Sequence, residues 1–212
     1  MALQIKIFTF NDFAENTYML YDETNQCIIV DPGCKNAREQ NILASFITEN
    51  ELTPIMLINT HCHIDHVLGN AWVSRQYQLG LYAHELEKPT LHMQPLVAQM
   101  YGMPYDESPQ ISGLLHEGEM INVGTTYWKI LFVPGHAPGH ICLYHEASNT
   151  LIAGDTLFEG SIGRTDLPGG HHETLIARIQ SELFTLPDET VVYPGHGGPT
   201  TIGKEKSTNP FF

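Results

Sequence analysis

Residues 3–8 alternate apolar and polar side chains with period two, the mark of a strand with one buried face. Residues 16–21 and 27–30 are short runs of strand formers, so the chain is expected to open as a meander of strands. Asp31-Pro32-Gly33 breaks it. Behind a cap at Asn36, Ile42, Leu43, Phe46 and Ile47 recur at helical spacing and predict a first amphipathic helix. Pro54 opens the apolar run Ile55-Met56-Leu57-Ile58, and beyond a histidine-rich loop Val67, Leu68, Ala71 and Trp72 mark another helical face. A short strand is expected at residues 80–83. Residues 89–113 hold prolines and methionines without a clean period and read as a helical or irregular excursion. Strand patterns return at residues 127–133, 141–145, 151–153 and 191–193, and Leu175, Ile176, Ile179 and Leu183 predict one strong helix. Meandering strands mixed with strand–helix units predict sheets covered by helices, an α/β or α+β arrangement.

A chain of 212 residues suits a single domain spanning 1–212. Its 42% apolar content supports an ordinary core. The formal charge of -14 opposes nucleic acid and anionic membrane surfaces as partners. The first ten residues lack a basic region followed by a long apolar stretch, and Cys27, Cys34, Cys62 and Cys142 form no Cys-x-x-Cys pair, so thiols in the cytoplasm are expected. The composition is unusual in one respect: 12 histidines outnumber the 10 lysines and arginines combined.

The strand ending near Asn59 runs into Thr60-His61-Cys62-His63-Ile64-Asp65-His66, which packs three imidazoles and a carboxylate into six positions. Such nitrogen and oxygen donors suit zinc or another borderline divalent metal. Three further places repeat the pattern of a ligand type just after a predicted strand: His136 after Val133-Pro134-Gly135, Asp155 after Ile152-Ala153-Gly154, and His196 after Tyr193-Pro194-Gly195. Loops at strand ends converge, and glycine before the ligand is expected to let the backbone approach a small ion. Five imidazoles and two carboxylates exceed one tetrahedral shell but suit two ions sharing an oxygen ligand. Asp155 is the natural bridge, since a carboxylate can offer one oxygen to each metal.

This set resembles the metallo-β-lactamase-fold hydrolases, specifically the glyoxalase II-like (hydroxyacylglutathione hydrolase) branch. The run Gly154-Asp155-Thr156-Leu157-Phe158 with Gly163-Arg164-Thr165-Asp166, and the ending Asn209-Pro210-Phe211, resemble its short bacterial single-domain kind. Many true metallo-β-lactamases carry a cysteine or serine where Asp155 stands. The resemblance implies a four-layer αβ/βα sandwich with metals at one edge between two sheets. It places His61, His63 and His136 on one metal, Asp65, His66 and His196 on the other, and Asp155 between them. The cofactors expected are two divalent ions, zinc first, with iron or manganese as alternatives.

The chemistry expected is hydrolysis of an acyl thioester, S-lactoylglutathione to lactate and glutathione. Two metals would lower the pKa of a bound water from near 15.7 toward roughly 7, and the hydroxide would attack the thioester carbonyl, with Asp65 and Asp155 as its catalytic carboxylates. His140 is expected to hydrogen-bond near the site without ligating. Arg164 either binds a substrate carboxylate or braces its loop against Asp166. Residues 89–113, with Met93, Met100, Met103, Tyr101 and Tyr105, supply either an apolar wall or an ordinary cover. No special role is expected for His84, His92, His116, His145, His171 and His172. The rival within the same fold is a mononuclear iron persulfide dioxygenase. Gly195-His196-Gly197 speaks against it, because those enzymes tend to show Ala-His-Asp there.

Overall fold

The computed structural model describes residues 3–212 and divides them into two compact units, one built from Met1–Leu114 with Asn122–Thr126, the other from Leu115–Ile121 with Tyr127–Phe212. The sequence expectation for the first ten residues falls in part on residues 1 and 2, which lie outside the described residues.

The first unit is a six-stranded sheet in the order β1 (Gln4–Phe10), β2 (Glu15–Tyr21), β3 (Gln26–Val30), β4 (Thr53–Ile58), β5 (Leu81–Ala83), β6 (Ile111–Leu114). The expected meander is there: β1, β2 and β3 pair antiparallel. From β3 onward the pairs are parallel, so each return needs a crossover helix. Helix α1 (Ala37–Glu49) makes the first crossover, with the Asn36 side chain accepting from Glu39 N at 3.1 Å. Leu43 and Ile47 bury its apolar face against Phe8, Phe10, Met19, Cys27, Ile29 and Leu57. Strand β2 is buried along nearly its whole length, which is why its sequence reads as a run and not an alternation.

The helical face expected across Val67–Trp72 is interrupted. A single turn, α2 (Ile64–Val67), is separated from α3 (Asn70–Tyr77), and between them Gly69 N donates to Pro32 O at 2.7 Å. A Cβ on Gly69 would meet Cys34 Sγ at 2.5 Å, so the residue is there for close packing on the 31–34 loop. The excursion also resolves: α4 (Lys88–Met100) tolerates Pro95, and the chain then returns to add β6, a strand that periodicity did not reveal. Met103 and Tyr105 pack on the core while Met93 and Met100 are exposed.

The second unit is a six-stranded sheet in the order β14 (Thr200–Thr201), β13 (Val191–Pro194), β10 (Thr150–Gly154), β9 (Ile141–His145), β8 (Thr126–Phe132), β7 (Met120–Val123), with a small hairpin of β11 (Leu157–Phe158) and β12 (Ser161–Ile162). Helix α5 (His172–Arg178) widens into a π-type turn over Ile179–Leu183, and Leu175, Ile179 and Leu183 bury together against Leu131, Val133, Leu151 and Val192. Helix α6 (Ile202–Thr208) closes the unit. The expected mixed α/β class is thus met by both units. Among the described residues no helix is long and apolar enough to cross a membrane.

One carboxylate ties the β2–β3 turn of the first unit to residues 122–126. Asp22 accepts from Thr24 N, Thr24 Oγ1, Thr125 N and Thr125 Oγ1 at 2.6 to 2.9 Å. Burial raises its pKa, but the threonine bonds outweigh burial and hold it at about 2. A depressed carboxylate stabilises above its unfolded pKa near 3.9 and loses that contribution as pH falls toward 2. Asp22→Ala should therefore cost roughly 2 kcal/mol at pH 7 in urea melts. The gap from wild type should narrow from about pH 4 downward and be largely lost only as pH falls through about 2, and a pH-independent gap would refute the assignment.

Candidate metal centre

In the first unit, β4 delivers its C-terminal end into the histidine loop, and each step of that loop is tied down. Thr60 N and Thr60 Oγ1 donate to the two oxygens of Asp31 at 2.7 and 2.6 Å, Asn59 Nδ2 donates to His66 O at 3.0 Å, and Cys62 N donates to Glu87 Oε2 at 2.8 Å. His63 then starts α2, which carries Asp65 and His66 on one turn. His61 and His66 are fully buried, with ring centroids 4.1 Å apart, and His66 Nε2 lies 3.5 Å from Asp65 Oδ2. His63 stands edge-on to His61 at 4.8 Å.

The hydrogen bonds set the ring tautomers. Asp31 Oδ2 can only accept, so His66 Nδ1, at 3.2 Å, carries the proton. Thr60 has spent its hydroxyl proton on Asp31, so it accepts from His61 Nδ1 at 3.1 Å. In the neutral form of both rings Nε2 is then the lone-pair nitrogen, the form a metal requires. Donor atoms of Asp31, His61 and His66 lie within 4.8 Å of one another, yet Asp31 already serves Thr60 and His66 and acts as their acceptor. Carboxylates crowd this pocket. Glu15 is fully buried, and its pKa is pushed well up, first by burial and then by Asp31 and Asp65, against the pull of His66. A divalent cation is the natural counter-charge for such a pocket.

The second unit assembles the other expected residues around Asp155. His136 Nδ1 donates to Arg164 O at 2.7 Å, which again leaves Nε2 as the lone-pair nitrogen. That Nε2 lies 3.6 Å from Asp155 Oδ2, and His196 Nε2 lies 3.5 Å from the same oxygen. His140 does hydrogen-bond beside the site: its Nε2 accepts from Asp155 N at 3.0 Å and fixes the backbone that presents the carboxylate. The glycine before His136 serves a different purpose from the one expected. Gly135 has φ +129, and a Cβ there would meet Leu175 N at 2.5 Å, so packing of α5 requires it. Arg164 forms a two-pronged pair with Asp166, both bonds 2.7 Å, on the exposed surface, and the guanidinium holds the Asp166 carboxyl down at about 2.

The donor set of each unit, imidazoles beside carboxylates with Nδ1 of His61, His66 and His136 held by acceptors, fits divalent metal ions. The cysteines do not compete. All four are buried outside any disulfide, and burial pushes the Cys62 thiol far up, helped by Glu87 and Asp31.

The model of the metallo-β-lactamase superfamily matches residues 11–196, most of the chain and all of these side chains. The chain belongs to that superfamily. Among its relatives is the hydroxyacylglutathione hydrolase GloC of Haemophilus influenzae, 35% identical over 99% of this chain and 98% of its own. Among solved structures, the BLEG-1 B3 metallo-β-lactamase is 32% identical, covering 98% of this chain and 99% of its own at a TM-score of 0.89. TTHA1623 in a di-iron-bound form is 34% identical, covering 98% and 100% at a TM-score of 0.88. The family fold is thereby shared with these proteins, and the His/Asp side chains of this chain are compatible with metal binding.

Sequence reasoning passed over Asp31, Thr60, Glu15 and Glu87, which surround the histidine loop. Asp31 looked like a turn residue only. Its one visible signal was a carboxylate directly after a buried strand, the same placement that marked Asp155.

Proposed function

We propose that the chain is a dinuclear metal-dependent hydrolase of acyl thioesters, a single catalytic domain of the cytoplasm that takes S-lactoylglutathione to lactate and glutathione. The observation that carries the dinuclear reading is Asp155 Oδ2 standing 3.6 and 3.5 Å from the Nε2 atoms of His136 and His196, which the family pattern assigns to different ions. His61, His63 and His136 would hold one ion and Asp65, His66 and His196 the other, with Asp155 shared. Zinc is the first choice, and the di-iron form of TTHA1623 keeps iron, with manganese, among the metals to test. Such ions, when bound, supply Lewis acidity that acidifies water and polarises a carbonyl.

The chain's own residues do the rest. Nδ1 partners lock His61, His66 and His136 in orientation. Asp65, on the first turn of α2, orients the attacking water and accepts its proton. A thiolate is a good leaving group and departs without a dedicated general acid. Thioester specificity draws its support from the hydroxyacylglutathione hydrolase GloC, which matches over 99% of this chain and 98% of its own. The partner is a small anionic molecule, and the charge of -14 disfavours nucleic acid or an anionic membrane.

Arg164 would exchange Asp166 for a substrate carboxylate. Arg164→Ala should raise KM about tenfold with metal content intact; loss of metal instead would make the pair with Asp166 a structural brace. The function itself is tested with purified protein, metal analysis and a substrate panel. Hydrolysis of S-lactoylglutathione that disappears on chelation supports the reading. Turnover confined to a β-lactam, or oxygen uptake with glutathione persulfide and one iron per chain, would replace it.

A further inference from the structure

The Asn209-Pro210-Phe211 ending has no part in the chemistry above, yet Asn209 is nearly fully buried. Its Nδ2 donates to Ser161 O at 3.0 Å and to Glu205 Oε2 at 2.8 Å, and its Oδ1 accepts from Phe211 N at 3.2 Å. Glu205, on α6, is fully buried as well. Its Oε2 also accepts from Gly160 N at 2.9 Å, and its Oε1 accepts from Thr200 Oγ1. Together the two side chains grip Gly160 and Ser161, the tip of the β11–β12 hairpin. Lys204 pairs with Glu159 across the same junction.

That hairpin carries the supports of three proposed ligands. Phe158 lies against His196, with ring centroids 6.4 Å apart. Gly163 N donates to Thr156 O at 3.0 Å, and its bare Cα fills a gap where a Cβ would meet Asp155 O at 1.9 Å and His136 Cβ at 3.1 Å. Arg164 O fixes the ring of His136. A displaced hairpin would free that ring to rotate and move Arg164 with it.

We propose that Glu205 and Asn209 form a clamp that positions the β11–β12 hairpin, and through it His136, Phe158 and Arg164, so that the C-terminal motif of this chain acts on the metal centre from a distance. Neither residue touches the reacting atoms; both are positioning residues. The inference rests on the reading of His136 as a ligand, and the experiments separate the two.

Hydrogen exchange in the wild-type protein comes first and involves neither metal nor variant. The Gly160 amide, held by a buried carboxylate, should be protected about as well as the strand amides of β10. Exchange at the rate of an open loop would overturn the clamp. Asn209→Ala is then compared with Phe212→Ala, which loosens the same terminus through its contact with Phe184 but leaves the hairpin bonds alone. Chelator competition should show one of the two ions bound about tenfold more weakly in Asn209→Ala, the scale expected for an outer-shell partner. KM should rise with it, whereas Phe212→Ala keeps wild-type affinity for both ions. Equal losses in the two variants would reduce the clamp to general stability. If Asn209→Ala does not fold, Glu205→Gln takes its place, because the amide keeps an acceptor for Gly160 N and should lose metal affinity less steeply. Wild-type protein that binds no metal would remove the ligand reading and leave the exchange result standing.

Discussion

Under the proposed function, Asp155→Ala should retain about a thousandth or less of the wild-type rate of S-lactoylglutathione hydrolysis, with metal content falling from the proposed two ions per chain to one or none. The expectation is severe because one oxygen serves two imidazole neighbours. Oδ2 lies 3.6 Å from His136 Nε2 and 3.5 Å from His196 Nε2, so its removal withdraws the group proposed to be shared by both ions. Folding should survive. The bond that anchors this loop runs from Asp155 N to His140 and does not involve the carboxylate, so circular dichroism and the melting temperature of the metal-free variant should match wild type. That combination separates a chemical defect from a structural one. Asp155→Asn adds a finer test: it keeps one acceptor oxygen and should restore part of the metal binding with little of the rate. Full activity with two bound ions in Asp155→Ala would end the shared-ligand reading.

Legibility of the sequence followed how local each signal was. Strands β2 and β3 are plain as short runs of strand formers, and helix α1 is plain because its period and cap lie within a few residues of each other. The seven proposed ligands stood out through residue type and placement after strands. Strand β6 was hidden, since Ile111–Leu114 gains its pairing only from β5, far back in the chain. The break between α2 and α3 was equally non-local: the pattern Val67, Leu68, Ala71, Trp72 is helical, but the bond from Gly69 N to Pro32 O stops it. Glycine before His136 carries a further, non-local constraint that its neighbours in sequence do not show, because a Cβ there would meet Leu175. The acceptors behind the ligands escaped for the same reason. Asp31 lies 35 residues from His66, and no spacing rule joins them.

Asp31→Asn is expected to be the most damaging substitution outside the proposed ligands, with metal affinity reduced about 10- to 100-fold and stability lowered by about 3 kcal/mol. Asparagine is the mildest replacement for the backbone, because Asp31 has φ +50 and asparagine tolerates that left-handed conformation. The damage is therefore in the hydrogen bonds. Oδ1 accepts from Thr60 N at 2.7 Å, and Oδ2 accepts from Thr60 Oγ1 at 2.6 Å and from His66 Nδ1 at 3.2 Å. An amide turns one of these oxygens into a donor, and either orientation sets donor against donor in a fully buried place. The cheapest relief is for His66 to move its proton to Nε2 and accept at Nδ1. Nε2 would then no longer have the lone pair it needs to bind a metal. Nitrogen-15 shifts of the His66 ring, read in the metal-free protein, should report this change of tautomer directly, and titration with zinc should report its consequence. Thr60→Val supplies the contrast: it breaks the relay to His61 but leaves the bond from His66 to Asp31 intact, so the loss should fall on His61 and spare the His66 tautomer. If Asp31 were itself a ligand, the substitution would delete an ion outright instead of weakening it, and the His66 tautomer would not change.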